Sequence, residues 1–155
     1  MSNIVEIGTM VDNYVFKNQY DERIELKDLR GKKVLLSFHP LAFTSVCASQ
    51  MKDLEVEYEK FESLSTEVLG ISVDAIASKK AWGKELGIKN ILLVEDFWPH
   101  GGFAKKVGIF REKEGFSERA NIILDEEGKI IFSKVYEIGE LPDVDEILKF
   151  LEKNN

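Results

Sequence analysis

Residues 34–47 read VLLSFHPLAFTSVC, an apolar run that ends before a proline and leads to the only cysteine of the chain. Residues 34–38 hold one serine among large apolar side chains, which is typical of a strand buried on both faces. From residue 44 onward, apolar side chains recur at spacings of four and three, and this periodicity predicts a helix over 44–64. The stretch therefore predicts a buried strand followed by a helix, with Cys47 near the start of that helix.

The predicted helix has one apolar face, and Cys47 belongs to it. Its members are Cys47, Met51, Leu54, Tyr58, Phe61 and Leu64. Cys47 is the first of them, so we expect its side chain to point inward and to be only partly exposed, while Thr44 or Ser45 caps the helix. The free N–H groups and the dipole at a helix start favour negative charge, and the thiolate is the nucleophilic form of cysteine. The position therefore suits a reactive thiol.

Outside this stretch, predicted strands and helices alternate. The predicted strands are two short ones within 13–26 around a turn at 18–22, then 68–73, 91–94, 119–124 and 129–136. The other predicted helices are 76–86, 101–107 and 143–152, and 27–33 is predicted to be a charged loop. Strand–helix–strand units followed by an antiparallel hairpin predict an α/β protein. We expect a thioredoxin-like fold, with a mixed β-sheet flanked by helices and an N-terminal β-hairpin extension.

Composition narrows the class of protein. A chain of 155 residues suits one domain, 1–155, and its net charge of −7 argues against nucleic acid and anionic membranes as partners. Residues 1–11 lack the cationic start and apolar run of a signal peptide, and no apolar stretch approaches the roughly 20 residues that span a bilayer. A single cysteine excludes an internal disulfide. We therefore expect a cytoplasmic protein.

Three further residues suit a thiolate that attacks a peroxide. Such a site needs stabilised negative charge, a defined angle of attack and a donor to the departing oxygen. Thr44 lies one helical turn before Cys47, and its hydroxyl can donate to the sulfur or to the peroxide. Pro40 has no N–H and a rigid ring that can wall the pocket. Arg119 starts an apolar strand, and its guanidinium stays charged.

These residues fall into two motifs. Residues 40–47 fit the pattern Pro-x-x-x-Thr-x-x-Cys at every fixed position. Residues 117–128 read SERANIILDEEG, which places an arginine before a strand that ends in Asp and a Gly turn. In both motifs the chain resembles the peroxiredoxins, also called the alkyl hydroperoxide reductase and thiol-specific antioxidant family, and specifically their one-cysteine type.

The resemblance implies a thioredoxin fold and a thiol-dependent peroxidase that reduces hydrogen peroxide and small organic hydroperoxides through a cysteine sulfenic acid. It implies that Cys47 is the peroxidatic nucleophile and that Thr44 orients the peroxide. Pro40 would shield the sulfur, and Arg119 would stabilise the thiolate and the transition state. No cofactor and no metal is implied. The implied assembly is a homodimer or a higher oligomer, with Phe43 among the candidates for the contact.

The chain departs from the family pattern after the nucleophile. Ala48 replaces a frequent Pro or Thr, and Gln50 stands where many members have Glu, so one charge near the site is lost. Lys52 occupies the position where one subgroup carries a resolving cysteine, and residues 141–155 contain none. The sulfenic acid must therefore react with an external thiol reductant, such as a thioredoxin or a glutaredoxin.

Two other functions compete with the peroxidase. His39 lies next to the motif, and a Cys–His pair would suggest a hydrolase in which Cys47 attacks an ester. We expect instead a structural or substrate-rim role for His39 and a loop position for His100. The third hypothesis is a thioredoxin-fold binding module with an unreactive Cys47. Only the peroxidase requires Thr44 and Arg119.

Overall fold

The central sheet of the computed structural model, which describes residues 4–155, has five strands. In spatial order they are Leu92–Glu95 (β5), Thr66–Ser72 (β4), Lys33–Phe38 (β3), Arg119–Leu124 (β8) and Ile130–Tyr136 (β9). β3 pairs with β4 in parallel, and β4 with β5, whereas β8 is antiparallel to both β3 and β9. The predicted mixed sheet is confirmed, and β3 at its centre is buried along its whole length.

Residues 4–155 contain five helices, one more than predicted, because the first predicted helix is divided in two. They are Ser45–Val56 (α1), Tyr58–Ser63 (α2), Ile76–Leu86 (α3), Gly102–Lys106 (α4) and Val144–Lys153 (α5). Alternate residues of a strand point to opposite faces, so the sheet separates two hydrophobic clusters. One cluster packs Leu35 against α1, α3 and α5, and the other packs Leu36 against α4 and the N-terminal hairpin. The thioredoxin-like α/β architecture is confirmed.

Within the described residues, two small hairpins extend this framework. The predicted N-terminal hairpin is present as Val15–Lys17 (β1) and Arg23–Glu25 (β2). A short 3-10 helix, Leu26–Leu29, follows it in place of the first part of the charged loop predicted at 27–33, because the fully buried Leu26 anchors the turn. The second hairpin, Phe110–Arg111 (β6) with Phe116–Ser117 (β7), was not predicted, because strands of two residues carry no detectable alternation.

The long helix predicted over 44–64 is divided in two. Helical geometry ends at Val56, and Glu57 has φ −93° and ψ 11° before α2 begins. Here the N–H of Lys60 bonds to the carbonyl of Glu57 at 3.0 Å, the tighter spacing of a 3-10 turn. The apolar stripe continues across the break, since Phe61 stays in the same core cluster as Leu54. Periodicity alone therefore predicted the buried face correctly and missed the break.

The remaining predicted elements are confirmed with shifts of one or two residues. α3 has the predicted bounds and ends at Gly87, whose φ of 73° lies in the left-handed region that glycine tolerates best. α5 starts after Asp143, whose side chain accepts a hydrogen bond from the Asp145 N–H. Among residues 4–155, none of the helices combines the length and the apolar character that crossing a membrane requires.

Candidate active site around Cys47

Cys47 is the third residue of α1, and its side chain is fully buried. The prediction that it would be partly exposed is wrong. The reason is that its helical face packs into the core cluster with Ala42 and Met51, while an arginine from another element closes the polar side. The sulfur therefore lies in a region from which bulk water is excluded, and charged groups interact strongly there.

Arg119 supplies that closing contact from 72 residues further along the chain. It is the first residue of β8, it is buried, and its Nη1 donates to Cys47 Sγ at 3.3 Å. Two other guanidinium nitrogens, Nε and Nη2, donate to the carbonyl of Ile138 at 2.9 and 2.7 Å. The structure thus brings together the predicted nucleophile and the predicted cation, and it holds the cation at a fixed orientation.

Gln50 holds the same arginine from the helix side. It lies one turn after Cys47 on α1, and its Oε1 accepts a hydrogen bond from Arg119 Nη1 at 2.8 Å. Its amide nitrogen donates to Ser37 Oγ at 2.8 Å and to the Phe38 carbonyl at 3.2 Å. From the sequence, Gln50 was noted only because it replaces the charged Glu of many family members. Its place in the predicted helix, three residues after the cysteine, was the signal that it would face the site.

The polar network continues across the sheet. Ser37 Oγ donates to Asn121 Oδ1 at 2.7 Å, and Asn121 Nδ2 contacts the Tyr136 hydroxyl at 3.3 Å. Burial raises the pKa of Tyr136 to about 12, so this hydroxyl stays protonated at physiological pH. Each buried polar side chain of this network, from Arg119 through Gln50, Ser37 and Asn121 to Tyr136, has a hydrogen-bond partner. A buried polar network is stable only if its members are paired in this way.

Thr44 lies at the N-cap position of α1, but its hydroxyl does not cap the helix. Thr44 Oγ1 donates to the carbonyl of Leu41 at 2.8 Å, and the carbonyl of Thr44 accepts the first helical bond from Ala48. The expected side-chain cap from Thr44 or Ser45 is therefore absent. The short bond to Leu41 instead fixes the rotamer of Thr44 and leaves the lone pairs of its oxygen free to accept a hydrogen bond.

A cavity of about 300 Å³ adjoins this loop. It is lined by Pro40, Leu41, Thr44, Ser45, Val46, Phe116, Arg119, Ile138 and Gly139. Three of the four predicted site residues thus share one cavity wall, and the fourth, Cys47, lies behind Arg119 at hydrogen-bond distance. Most of the lining side chains are apolar, so the cavity suits a small molecule with one polar end.

Of the two roles expected for His39, its position fits the structural one. It is fully buried, so a place at the substrate rim is wrong, and its Nε2 lies 3.3 Å from Lys79 Nζ rather than against the sulfur. Burial, together with the charges of Lys79 and Arg119, holds the pKa of His39 well below its usual value, so the ring is neutral. Within residues 4–155 no hydrogen bond joins His39 to Cys47, and the hydrolase hypothesis therefore lacks its base.

His100 is exposed, as expected for a loop residue, and its Nε2 lies 2.7 Å from the carbonyl of Gly115. In the part of the chain that the structure describes, no group of three or more His, Cys, Asp or Glu residues is arranged to hold a metal ion.

Comparisons with known proteins agree with this geometry. The model of the AhpC/TSA family matches residues 7–133, a span that includes both Cys47 and Arg119. Alkyl hydroperoxide reductase E of Mycobacterium tuberculosis is 32% identical over 141 residues, which cover 90% of this chain and 92% of that protein. The crystal structure of Enterococcus faecalis AhpC is similar with a TM-score of 0.87 and 25% identity, over 96% of this chain and 91% of that one. The crystal structure of the reduced 2-Cys peroxiredoxin of Plasmodium vivax is similar with a TM-score of 0.86 and 27% identity, over 96% of this chain and 81% of that one.

Proposed function

Because the chain belongs to the AhpC/TSA family of peroxiredoxins, which are thiol peroxidases, we propose that it reduces hydrogen peroxide and small organic hydroperoxides by a one-cysteine mechanism. The observation that carries the proposal is the contact of 3.3 Å between Arg119 Nη1 and Cys47 Sγ, both buried. A guanidinium that is always charged lies against the one thiol of the protein. At a site that excludes water, such a contact favours negative charge on the sulfur.

In the first step the Cys47 thiolate attacks the terminal oxygen of the peroxide. The S–O bond forms as the O–O bond breaks, so the sulfur is oxidised to sulfenic acid and the alkoxide or hydroxide leaves and takes up a proton. Arg119 stabilises the charge as it moves from sulfur to oxygen. Thr44 orients the peroxide, and Pro40 shields the sulfur from water.

The cavity beside the loop supports organic hydroperoxides as substrates. Its volume of about 300 Å³ and its apolar side chains accommodate a short alkyl chain, while Arg119 and Thr44 form its polar end. A peroxide whose oxygen atoms reach that polar end leaves its alkyl group against residues such as Leu41, Val46 and Phe116. Hydrogen peroxide fits the same polar end and leaves the apolar part of the cavity empty.

The absence of a second cysteine in the sequence supports resolution by an external thiol. An incoming thiol condenses with the sulfenic acid, releases water and forms a mixed disulfide. A second thiol then cleaves that disulfide and restores the Cys47 thiol. A thioredoxin, a glutaredoxin or a similar donor supplies these thiols in a reducing cytoplasm.

A homodimer is part of the proposal. Phe43, Phe97 and Trp98 are large aromatic side chains with exposed fractions of 56%, 46% and 82%. They follow β3 and β5, two strands that run parallel to β4, so both segments lie at the same edge of the sheet. Exposed aromatic residues grouped at one edge are typical of a contact between subunits.

Stopped-flow mixing of the reduced protein with hydrogen peroxide tests the proposal. Trp fluorescence follows the reaction, and the intact mass of the trapped product identifies it. We expect Cys47 to gain one oxygen atom orders of magnitude faster than a free thiol, and the Cys47→Ser variant to gain none. Oxidation at the rate of an ordinary thiol would contradict the peroxidase and favour the binding module.

A further inference from the structure

The proposed mechanism leaves one fully buried charged side chain unexplained. Lys79 lies near the start of α3 with no exposed surface, and none of the ion pairs found within residues 4–155 includes it. Lysine is almost never fully buried without a partner. Burial lowers the pKa of Lys79 to about 7, although the negative groups Asp74 and Cys47 oppose that shift. A buried group with this desolvation penalty calls for a structural reason.

Three polar groups surround the Lys79 amino group. Its Nζ donates to the Gly70 carbonyl and to Ser72 Oγ, both at 3.0 Å, and lies 3.3 Å from Nε2 of the neutral His39 ring. The Lys79 amino group thus has a polar partner in three directions. No apolar side chain of similar length could satisfy the same three groups.

Two of these contacts lead to the loop that carries Pro40 and Thr44. On one side, His39 directly precedes Pro40 in the chain. On the other side, Ser72 Oγ donates to Asp74 Oδ2 at 2.7 Å. This carboxylate oxygen of Asp74 also accepts a hydrogen bond from the Ala42 N–H at 2.8 Å. Lys79 thus reaches the loop before the proline and again between the proline and the threonine.

The loop itself needs such support. Phe43 has a φ of 65°, a left-handed conformation that is costly for a bulky aromatic residue. Conformations of this kind persist at functional sites where the surroundings hold them in place. Phe43 immediately precedes Thr44 and is itself 56% exposed; its ring lies 6.3 Å from that of Trp82, and the hydrogen bonds of its neighbours Ala42 and Thr44 supply further support.

We propose that Lys79 is a positioning residue for peroxide reduction: through His39 on one side and Ser72–Asp74 on the other, it holds residues 39–44 in the conformation that presents Pro40 and Thr44 to the peroxide. This role rests on the proposed peroxidase function. Lys79 touches neither the sulfur nor the cavity lining within hydrogen-bond distance; it acts through the loop.

The test compares two reactions of the reduced protein in three variants. Hydrogen peroxide needs the loop geometry, whereas iodoacetamide alkylates the thiolate without it. Lys79→Met removes the three contacts of the amino group, whereas Ser72→Ala removes its contact with Ser72 and the link from there to Asp74 but keeps the contacts with Gly70 and His39. Lys80→Met is the matched control, because Lys80 is the next residue of α3 and is partly exposed, with an ion pair to Asp21. Far-UV circular dichroism establishes that each variant is folded.

We expect Lys79→Met to lower the rate of peroxide oxidation by about tenfold to a hundredfold, the effect of misplacing groups by about an ångström. Alkylation should be unchanged or faster, since a looser loop exposes the sulfur. Ser72→Ala should lower the peroxide rate by a smaller factor in the same direction, and Lys80→Met should match wild type.

Several results would overturn the role. If Lys79→Met is folded and matches wild type with peroxide, or if both reactions slow equally, Lys79 does not act through the loop. If Lys79→Met does not fold, Ser72→Ala decides, and a wild-type peroxide rate in that variant overturns the proposal. Failure of the peroxidase function is recognised separately, because the wild-type protein itself would then react no faster than a free thiol.

Discussion

Gln50 Oε1 and Arg119 Nη1 are joined by a buried hydrogen bond of 2.8 Å that ties the first turns of α1 to the start of β8. The same nitrogen of Arg119 donates to Cys47, so the amide and the sulfur share one donor group. A neutral amide orients the guanidinium without cancelling its charge. The bond therefore connects the orientation of the cation to the fold of the helix that carries the nucleophile.

This relationship predicts the effect of Gln50→Leu. The variant keeps the approximate volume but removes the acceptor for Arg119, and we expect the rate of peroxide oxidation to fall by about tenfold, the scale of one hydrogen bond to a charged group. Gln50→Glu retains an acceptor at that position and should lie closer to wild type. Single-turnover stopped-flow measurements distinguish the two, and equal rates for Gln50→Leu and wild type would contradict the positioning of Arg119 by Gln50.

Removal of the cation should have a larger effect. We expect Arg119→Ala to lower the rate constant for peroxide by about 10²-fold or more, because a preorganised donor to the developing charge is lost. Arg119→Lys should recover only part of the rate, since one ammonium on a flexible stem cannot reproduce the fork that contacts Cys47, Gln50 and Ile138 together. A wild-type rate in Arg119→Ala would remove this residue from the mechanism.

The hydroxyl of Thr44 can be tested with a matched pair. Thr44→Val preserves the shape of the side chain but loses the hydroxyl that donates to Leu41 and faces the cavity. We expect its peroxide rate to fall by about tenfold to a hundredfold, and Thr44→Ser to stay near wild type. The rates are measured at saturating reductant. Equal activity in the two variants would show that the hydroxyl is dispensable.

Stability should depend on pH through Lys79. Its pKa is about 7 in the folded protein and 10.5 is the ordinary value, so between these pH values the unfolded chain binds a proton that the folded chain lacks. The free energy of unfolding then rises with pH across this window, by at most about 1.4 kcal/mol per pH unit for one proton. Urea denaturation in a Cys47→Ser background should show this rise, and addition of Lys79→Met should remove it. If the free energy of unfolding depends on pH in the same way in the single and the double variant, Lys79 stays charged in the folded protein.

The subunit contact can be tested at Trp98. Trp98→Asp places a charge on a side chain that is 82% exposed, and it should convert a sedimenting dimer to a monomer without slowing the first oxidation step. Val56→Asp is the control, because Val56 is apolar and 78% exposed but lies at the end of α1. A dimer that survives Trp98→Asp would place the contact on another surface.

The sequence predicted the parts of the fold that rest on periodicity and on punctuating residues. The stripe from Cys47 to Phe61 predicted the buried face of two helices, and Gly87 marked the end of α3 at the observed residue. The break at Glu57 was not predicted, because the sequence holds neither a proline nor a glycine there and the stripe continues through it. The hairpin at 110–117 was too short to give a pattern.

For the site, motifs were more informative than local patterns. The spacing around Cys47 and the strand start at Arg119 identified two groups that fold to within 3.3 Å of each other. The exposure of Cys47 was misjudged, because it depends on the distant segments of the chain that pack over the start of α1. Lys79 is the clearest case: in the sequence it is one of two adjacent lysines, and only the fold shows that one is buried and the other is not.

The complete burial of the Cys47 sulfur has a consequence for the second half of the catalytic cycle. In the proposed cycle a protein donor is too large to enter the cavity beside Thr44, so its mixed disulfide with Cys47 requires the first turn of α1 to open. The local unfolding free energy of that turn then enters the rate of recycling. A more stable α1 would keep Cys47 in the sulfenic acid form for longer, and a second peroxide could then convert it to sulfinic acid. At this helix, higher thermal stability is therefore expected to lower the resistance of the enzyme to overoxidation.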